Sequence, residues 1–307
     1  MNAFIELPTA QLIEKMSNDE YHARPEFSSS QLKDMLRSGA HFYSKNIIKE
    51  VERETKKHLD FGTLAHTLFL EPEQFHNEFA VIPADAPKPP TDVMRNAKNP
   101  SEDSMKRVQW WDKFAAEHGT KITITEDLLE GAQRIANNLC SLSSYKDMQN
   151  NYGMAEASIF FTDPTYGLKL RVRPDYHIAP CSAFPNGLIL DLKTTTDARA
   201  HGFAKKCGDF CYDLSAAMYR EGFQEYYSTA EKPDFIFLVA ESALPFNVKQ
   251  YKASDLFLSV GETRYNKSKA RLAESLLIDE WDGYPTEMEE IFLPSYMTKQ
   301  ALENDFN

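Results

Sequence analysis

The sequence predicts an α/β domain, a central mixed β-sheet flanked by helices with a helical region ahead of it. Three observations carry this. From Leu168 to Tyr176, apolar Leu168, Leu170 and Val172 alternate with Lys169, Arg171 and Arg173, the period-two pattern of a half-buried strand. Leu188 to Leu192 and Phe235 to Ala240 are short apolar runs that read as buried strands. Helical stretches surround these runs, at about 103–118, 126–143, 213–229 and 253–278. With 307 residues and 42% hydrophobic content, the chain reads as one domain. Its parts are a mainly helical 1–150, a sheet core at 151–252, and C-terminal helices with an acidic tail at 253–307.

The elements follow in order. Ser28 with Gln31 fits a capping box, so a helix starts there. FGTLAHTLFLE at 61–71 places Leu64, Leu68 and Phe69 on one side of a helix that Pro72 ends. Five prolines between 83 and 104 predict a loop. After the helices at 103–118 and 126–143, Ala157 to Phe161 is β-branched and aromatic, and TDPTYG at 162–167 is a turn. Helices at about 197–206 and 213–229 precede the Phe235 strand, and Asn247 to Tyr251 pairs beside it.

No apolar run approaches the roughly 20 residues of a membrane span. The first 15 residues lack the basic-then-apolar plan of a signal peptide, so the cytoplasm is the expected compartment. Cys140, Cys181, Cys207 and Cys211 read as reduced structural thiols. The net charge is −12 but uneven. Residues 274–307 hold nine acids against one base, whereas 163–206 hold seven bases against four acids. A local basic surface is compatible with an acidic chain, and scattered solvated charges are the plain alternative.

The chemistry centres on GLILDLKT, 187–194. Asp191 and Lys193 lie two apart on a strand and share a face, while Leu192 points into the opposite layer. Charges buried there unpaired would cost several kcal/mol, so they are paired or face a cleft. Asp175 reaches the same cleft if its strand pairs with theirs as a hairpin. Two carboxylates and an ammonium at one point suit Mg²⁺ and phosphodiester hydrolysis. Read alone, Asp191-x-Lys193 fits a plain strand-edge ion pair better than a catalytic centre.

The wider pattern adds to this. Arg173-Pro174-Asp175 followed by Asp191-Leu192-Lys193 resembles the PD-(D/E)xK nuclease superfamily. Gly62-Thr63-Leu64-Ala65-His66 resembles the GxxxH helix motif of its RecB-like branch, and Tyr212 to Tyr219 the helix that carries QxxxY there. Together with SSSQLKDMLRSGAHFY, these blocks over about 25–240 resemble the exonuclease VIII (RecE-like) nuclease domain. The resemblance implies a restriction-endonuclease-like core in which Asp175, Asp191, Lys193 and His66 are catalytic. It implies His66, Asp175, Asp191 and Leu192 as the metal-site positions, for Mg²⁺ with Mn²⁺ as a substitute. Glu156, Arg171, Arg173, Ser215 and Tyr219 are the candidate substrate contacts. Ser215 departs from the family, which has glutamine there. The implied activity is an exodeoxyribonuclease that resects linear duplex DNA 5′ to 3′, leaving 3′ single strands for recombination, of phage or prophage type in a bacterial host. The implied partners are duplex ends, a RecT-like single-strand annealing protein, and further copies of the chain in a ring, as in a tetramer. A ring would confine DNA to an inner surface and leave the acidic tail outside or on the annealing protein. Two rivals stand beside this. A nuclease-fold binding module would not need the intact Asp175, Asp191 and Lys193. An iron–sulphur nuclease would need three cysteines after the core, where only Cys207 and Cys211 follow, so no cluster is expected.

Overall fold

A computed structural model describes residues 10–50 and 61–293. Ten strands are present: β1 Ala10–Ile13, β2 Phe79–Ile82, β3 Ile122–Thr125, β4 Gly153–Ala155, β5 Ser158–Thr162, β6 Lys169–Val172, β7 Tyr176–Ile178, β8 Leu188–Thr195, β9 Asp234–Glu241 and β10 Val248–Lys252. The α-helices are α1 Asn18–Ala23, α2 Ser29–Arg37, α3 Gly39–Phe42, α4 Phe61–Leu70, α5 Phe75–Glu78, α6 Asp92–Arg95, α7 Glu102–His118, α8 Glu126–Leu139, α9 Ser143–Asn150, α10 Ala200–Asp209, α11 Tyr212–Tyr227 and α12 Asp255–Ile278.

The central sheet has the order β10-β9-β8-β7-β4. It is mixed: β8 runs parallel to β9 and antiparallel to β7. The parallel pair needs a long crossover, which α10 and α11 provide. Along β8 the side chains alternate between two layers. Leu188, Leu190 and Leu192 enter a core with Leu64, Ala132, Ile135 and Leu139 from α4 and α8. Ile189 faces the opposite core with Phe203, Ala216 and Phe223 from α10 and α11. Each fully buried leucine contributes about 1.5–3 kcal/mol, which fixes the strand's facing. Asp191 and Lys193 share Ile189's face by the same alternation. Gly187 precedes the strand at φ +79, and a β-carbon there would lie 2.2 Å from the Phe223 ring. A second, antiparallel sheet, β1-β5-β6, packs on α2, α11 and α12.

Several sequence expectations hold with small shifts. The α2 capping box is present, with the Ser28 N–H donating to Gln31 Oε1 at 2.8 Å. Other expectations need correction. The run 168–176 is not one strand: β6 ends at Val172 in the second sheet, and β7 begins at Tyr176 in the central one. Its arginines do not face solvent. Arg171 is 4% and Arg173 8% exposed, because both guanidinium groups turn back to hold the segment 16–26. Arg171 donates to the carbonyls of Arg24 and Glu26, and Arg173 to Ser158 Oγ, Asn18 Oδ1 and the Met16 carbonyl. The helix expected over 126–143 ends at Leu139 and resumes as α9. The proline-rich loop contains α6. One helix, α12, follows the sheet, and 279–293 has no regular structure, so the plural C-terminal helices are not found among the described residues. The tail beyond 293 lies outside the described residues.

Candidate active site

The site forms where two neighbouring strands leave the central sheet together. β7 stops pairing with β8 at Tyr176, opposite Leu190. Pro174, two residues earlier, has no N–H with which to extend the ladder. The next peptide edge of β8 on that side, at Leu192, is therefore left open. Asp175 Oδ2 accepts the Leu192 N–H at 2.6 Å, and the Leu192 carbonyl faces His66 Nε2 at 2.9 Å. Between β4 and β5, Glu156 adopts the left-handed conformation with φ 49, and its N–H donates to the Asp175 carbonyl at 3.1 Å. A non-glycine residue held at positive φ stores strain, and such residues gather at functional sites.

The result is a compact donor set. One ligand atom from each of His66, Glu156 and Asp175 lies within 4.8 Å of the others. Lys193 Nζ lies 2.5 Å from Asp191 Oδ2 and 3.8 Å from Asp175 Oδ2, and His66 Nε2 lies 3.8 Å from Asp175 Oδ2. Burial, reinforced by the charge of Asp175, pushes the Glu156 carboxyl up to about 9. Burial likewise raises Asp191 to about 6, against the pull of Lys193. Burial would lower the Lys193 ammonium, but Asp191 and Asp175 outweigh it and hold it above the ordinary lysine value. A carboxyl driven to hold a proton beside a second carboxylate and an imidazole is the environment that a divalent cation relieves. The donors fit Mg²⁺ or Mn²⁺: hard oxygens from Glu156, Asp175 and the Leu192 carbonyl, with one imidazole.

These groups line or underlie a cleft of about 770 Å³. Its lining carries six carboxylates, from Glu14, Asp19, Glu71, Glu73, Glu78 and Glu156, against Lys15, Arg173 and Lys193. The field therefore attracts cations and opposes a bare phosphate backbone.

The structure brings together His66, Asp175, Leu192 and Lys193, as the sequence suggested, and adds Glu156 to the clustered donors. Asp191 is 4% exposed and held by Lys193, beside that set rather than among its three clustered donors. The candidate substrate contacts are scattered. Arg173 reaches the cleft wall, whereas Arg171 does not line it. Ser215 and Tyr219 lie on α11 behind the cleft wall, and burial holds the Tyr219 phenol well above its ordinary value. Tyr212, at the start of α11, does line the cleft.

Sequence reasoning missed Lys33 on α2. Its ammonium and that of Lys193 each sit 5.5 Å from the centre of the Tyr212 ring. Burial, then the charge of Lys193, lower Lys33 to about 8. The signal available was weak, one lysine in an amphipathic helix.

The family comparison bears on the fold. The profile of the PDDEXK-like domain of unknown function (DUF3799) matches residues 28–291. The chain belongs to that family. A crystal structure from Eubacterium rectale, described as a "putative exonuclease", superposes on this PDDEXK-like chain with a TM-score of 0.54. The identity is 14%, over 94% of this chain and 98% of the other. That likeness is one of fold, a mixed sheet flanked by helices, and the PDDEXK-like character of the core rests on the family match. No curated protein matches the sequence. Among the described residues, no helix is long and apolar enough to cross a membrane.

Proposed function

We propose that this PDDEXK-like chain is a metal-dependent exodeoxyribonuclease that degrades linear duplex DNA from its ends. The observation that carries the reading is the convergence of His66, Glu156 and Asp175 within 4.8 Å, with the Lys193 ammonium 3.8 Å from Asp175. His66, Glu156, Asp175 and the Leu192 carbonyl would hold the cation, Mg²⁺ or Mn²⁺. When bound, such an ion polarises a phosphate oxygen and lowers the pKa of a water. The protein's own groups supply the rest. Asp191 and Asp175 keep Lys193 protonated, so Lys193 orients the attacking water and stabilises negative charge on the phosphate rather than acting as the base. Asp191 fixes the direction of the Lys193 side chain. The Leu192 N–H donates to Asp175 Oδ2 and so fixes the direction of that carboxylate.

The finer reading rests on the resemblance to the exonuclease VIII domain and on the exonuclease description carried by the structural neighbour. It is 5′-to-3′ resection that leaves 3′ single strands for recombination in a phage-infected or lysogenic bacterium, with a single-strand annealing protein as partner. A homo-oligomeric ring would reconcile a net charge of −12 with a phosphate ligand. Digestion of linear duplexes blocked at either the 5′ or the 3′ ends tests it. Loss only where 5′ ends are free supports the reading. Equal loss of both substrates overturns the 5′-to-3′ direction, and loss of closed circles overturns the exonuclease assignment.

A further inference from the structure

One aromatic ring at the cleft collects features that the hydrolysis mechanism leaves unused. Phe210 is 54% exposed although it follows directly on α10 and precedes α11. It stacks on Tyr212, with ring centres 5.8 Å apart and planes 19° from parallel. Tyr212 is braced from behind by Phe203 at 6.3 Å and Phe237 at 6.2 Å, so it cannot retreat into the core. Both lysines flanking it, Lys33 and Lys193, point ammonium groups at the ring. Lys193 has two carboxylate partners. Lys33 is half-buried, and no carboxylate pairs with it among the described residues. Its nearest acids are already engaged: Asp191 by Lys193 at 2.5 Å, and Asp213 by Arg264 at 3.1 Å. A half-buried cation without an anion is costly, and Phe210 keeps an exposed aromatic face against the same tyrosine ring. One ligand satisfies both: a phosphate for Lys33 and a flat, apolar face for Phe210.

We infer that Phe210, Tyr212 and Lys33 form a subsite for an unpaired nucleotide, its base stacked on Phe210 and its phosphate on Lys33, next to the scissile bond. This rests on the nuclease reading for its place in a reaction but not for its binding chemistry. Single strands are held by stacking on aromatic platforms and by cations along the backbone, largely without regard to sequence. The subsite therefore selects a frayed or single-stranded end over a closed duplex, and does so for any base.

The test uses a phosphorothioate single strand carrying 2-aminopurine near its end, so that binding is read without cleavage. Wild-type protein quenches the fluorescence through stacking. Phe210→Ala abolishes the quenching and weakens binding about tenfold, within the range for loss of one stacked base. Phe210→Trp restores both. Lys33→Met weakens binding, keeps the quenching, and lowers the salt dependence by about one phosphate contact. On cleavable single strands, Phe210→Ala raises KM with kcat unchanged. Unchanged quenching in Phe210→Ala overturns the subsite even if the protein is an active nuclease. Quenching that is lost in Phe210→Ala and regained in Phe210→Trp, in a protein that cleaves nothing with Mg²⁺, upholds the subsite while the nuclease reading falls.

Discussion

At the scale of single residues, Glu156 is where function works against stability. Its folded-state pKa of about 9, against an ordinary 4.5, means that the metal-free fold keeps a proton that the unfolded chain releases. The sign follows: stability falls as pH rises from about 4.5 towards 9, because the unfolded state binds fewer protons across that window. Glu156→Gln removes this dependence. In metal-free buffer at pH 7 it gains about 2–3 kcal/mol over the wild type and little at pH 5, read by urea unfolding at both pH values. The same substitution abolishes the rise in Tm that Mg²⁺ or Mn²⁺ gives the wild type. The sequence offered Glu156 only as a candidate substrate contact. What decides its role is a backbone turn at φ 49, which no local pattern announces. Asp175, Asp191 and Lys193 were readable because a strand's period of two forces Asp191 and Lys193 onto one face.

At the scale of elements, the site depends on how α11 presents Tyr212. That helix crosses α12 at Gly261, where a β-carbon would lie 2.1 Å from the Asp213 carbonyl oxygen. The neighbour is backbone and cannot swing aside. Gly261→Ala therefore costs about 2 kcal/mol or more. It also lowers nuclease activity, because the first turn of α11 must move; thermal melts and initial rates on the same preparation check both. Most elements were legible from apolar spacing, including α2, α4, α7, α11, α12, β8 and β9. The division of 168–178 into β6 and β7 was not. Alternation of Leu168, Leu170 and Val172 shows a strand but not which sheet it joins, and the buried arginines obey the same period as solvent-facing ones. Arg171 and Arg173 donate to carbonyl and hydroxyl groups from residues about 15 to 157 positions away in sequence, a tertiary fact. The short strands β1 to β4 escaped notice because three or four residues are too few to establish a period.

For the whole molecule, the acidic C-terminal stretch is tied to the fold at its start. Trp281 stacks on Phe42 at 5.4 Å and Asp282 pairs with Arg271 at 2.9 Å, so the chain is anchored as far as Tyr284, which accepts from Arg37 at 3.1 Å. Beyond it, Met288, Ile291, Phe292 and Leu293 are at least 70% exposed and bury little. Truncation after Tyr284 leaves Tm within about 2 °C of the wild type, whereas truncation before Trp281 lowers it by several degrees, as a scanning melt would show. Reduced affinity for an annealing protein after the milder truncation would place that contact on the tail. On the proposed function, the acid-lined cleft gives the molecule its strongest dependence: phosphate would enter only when a cation offsets the carboxylates. The most direct measurement is the release of nucleotides from linear duplex DNA by wild-type protein, Asp175→Asn and Lys193→Ala, each with Mg²⁺ and with EDTA. The account predicts hydrolysis by the wild type with Mg²⁺ alone, and rates at least about a hundredfold lower in both variants, which remain folded. Hydrolysis that persists in EDTA, or equal rates in wild type and variants, would contradict it.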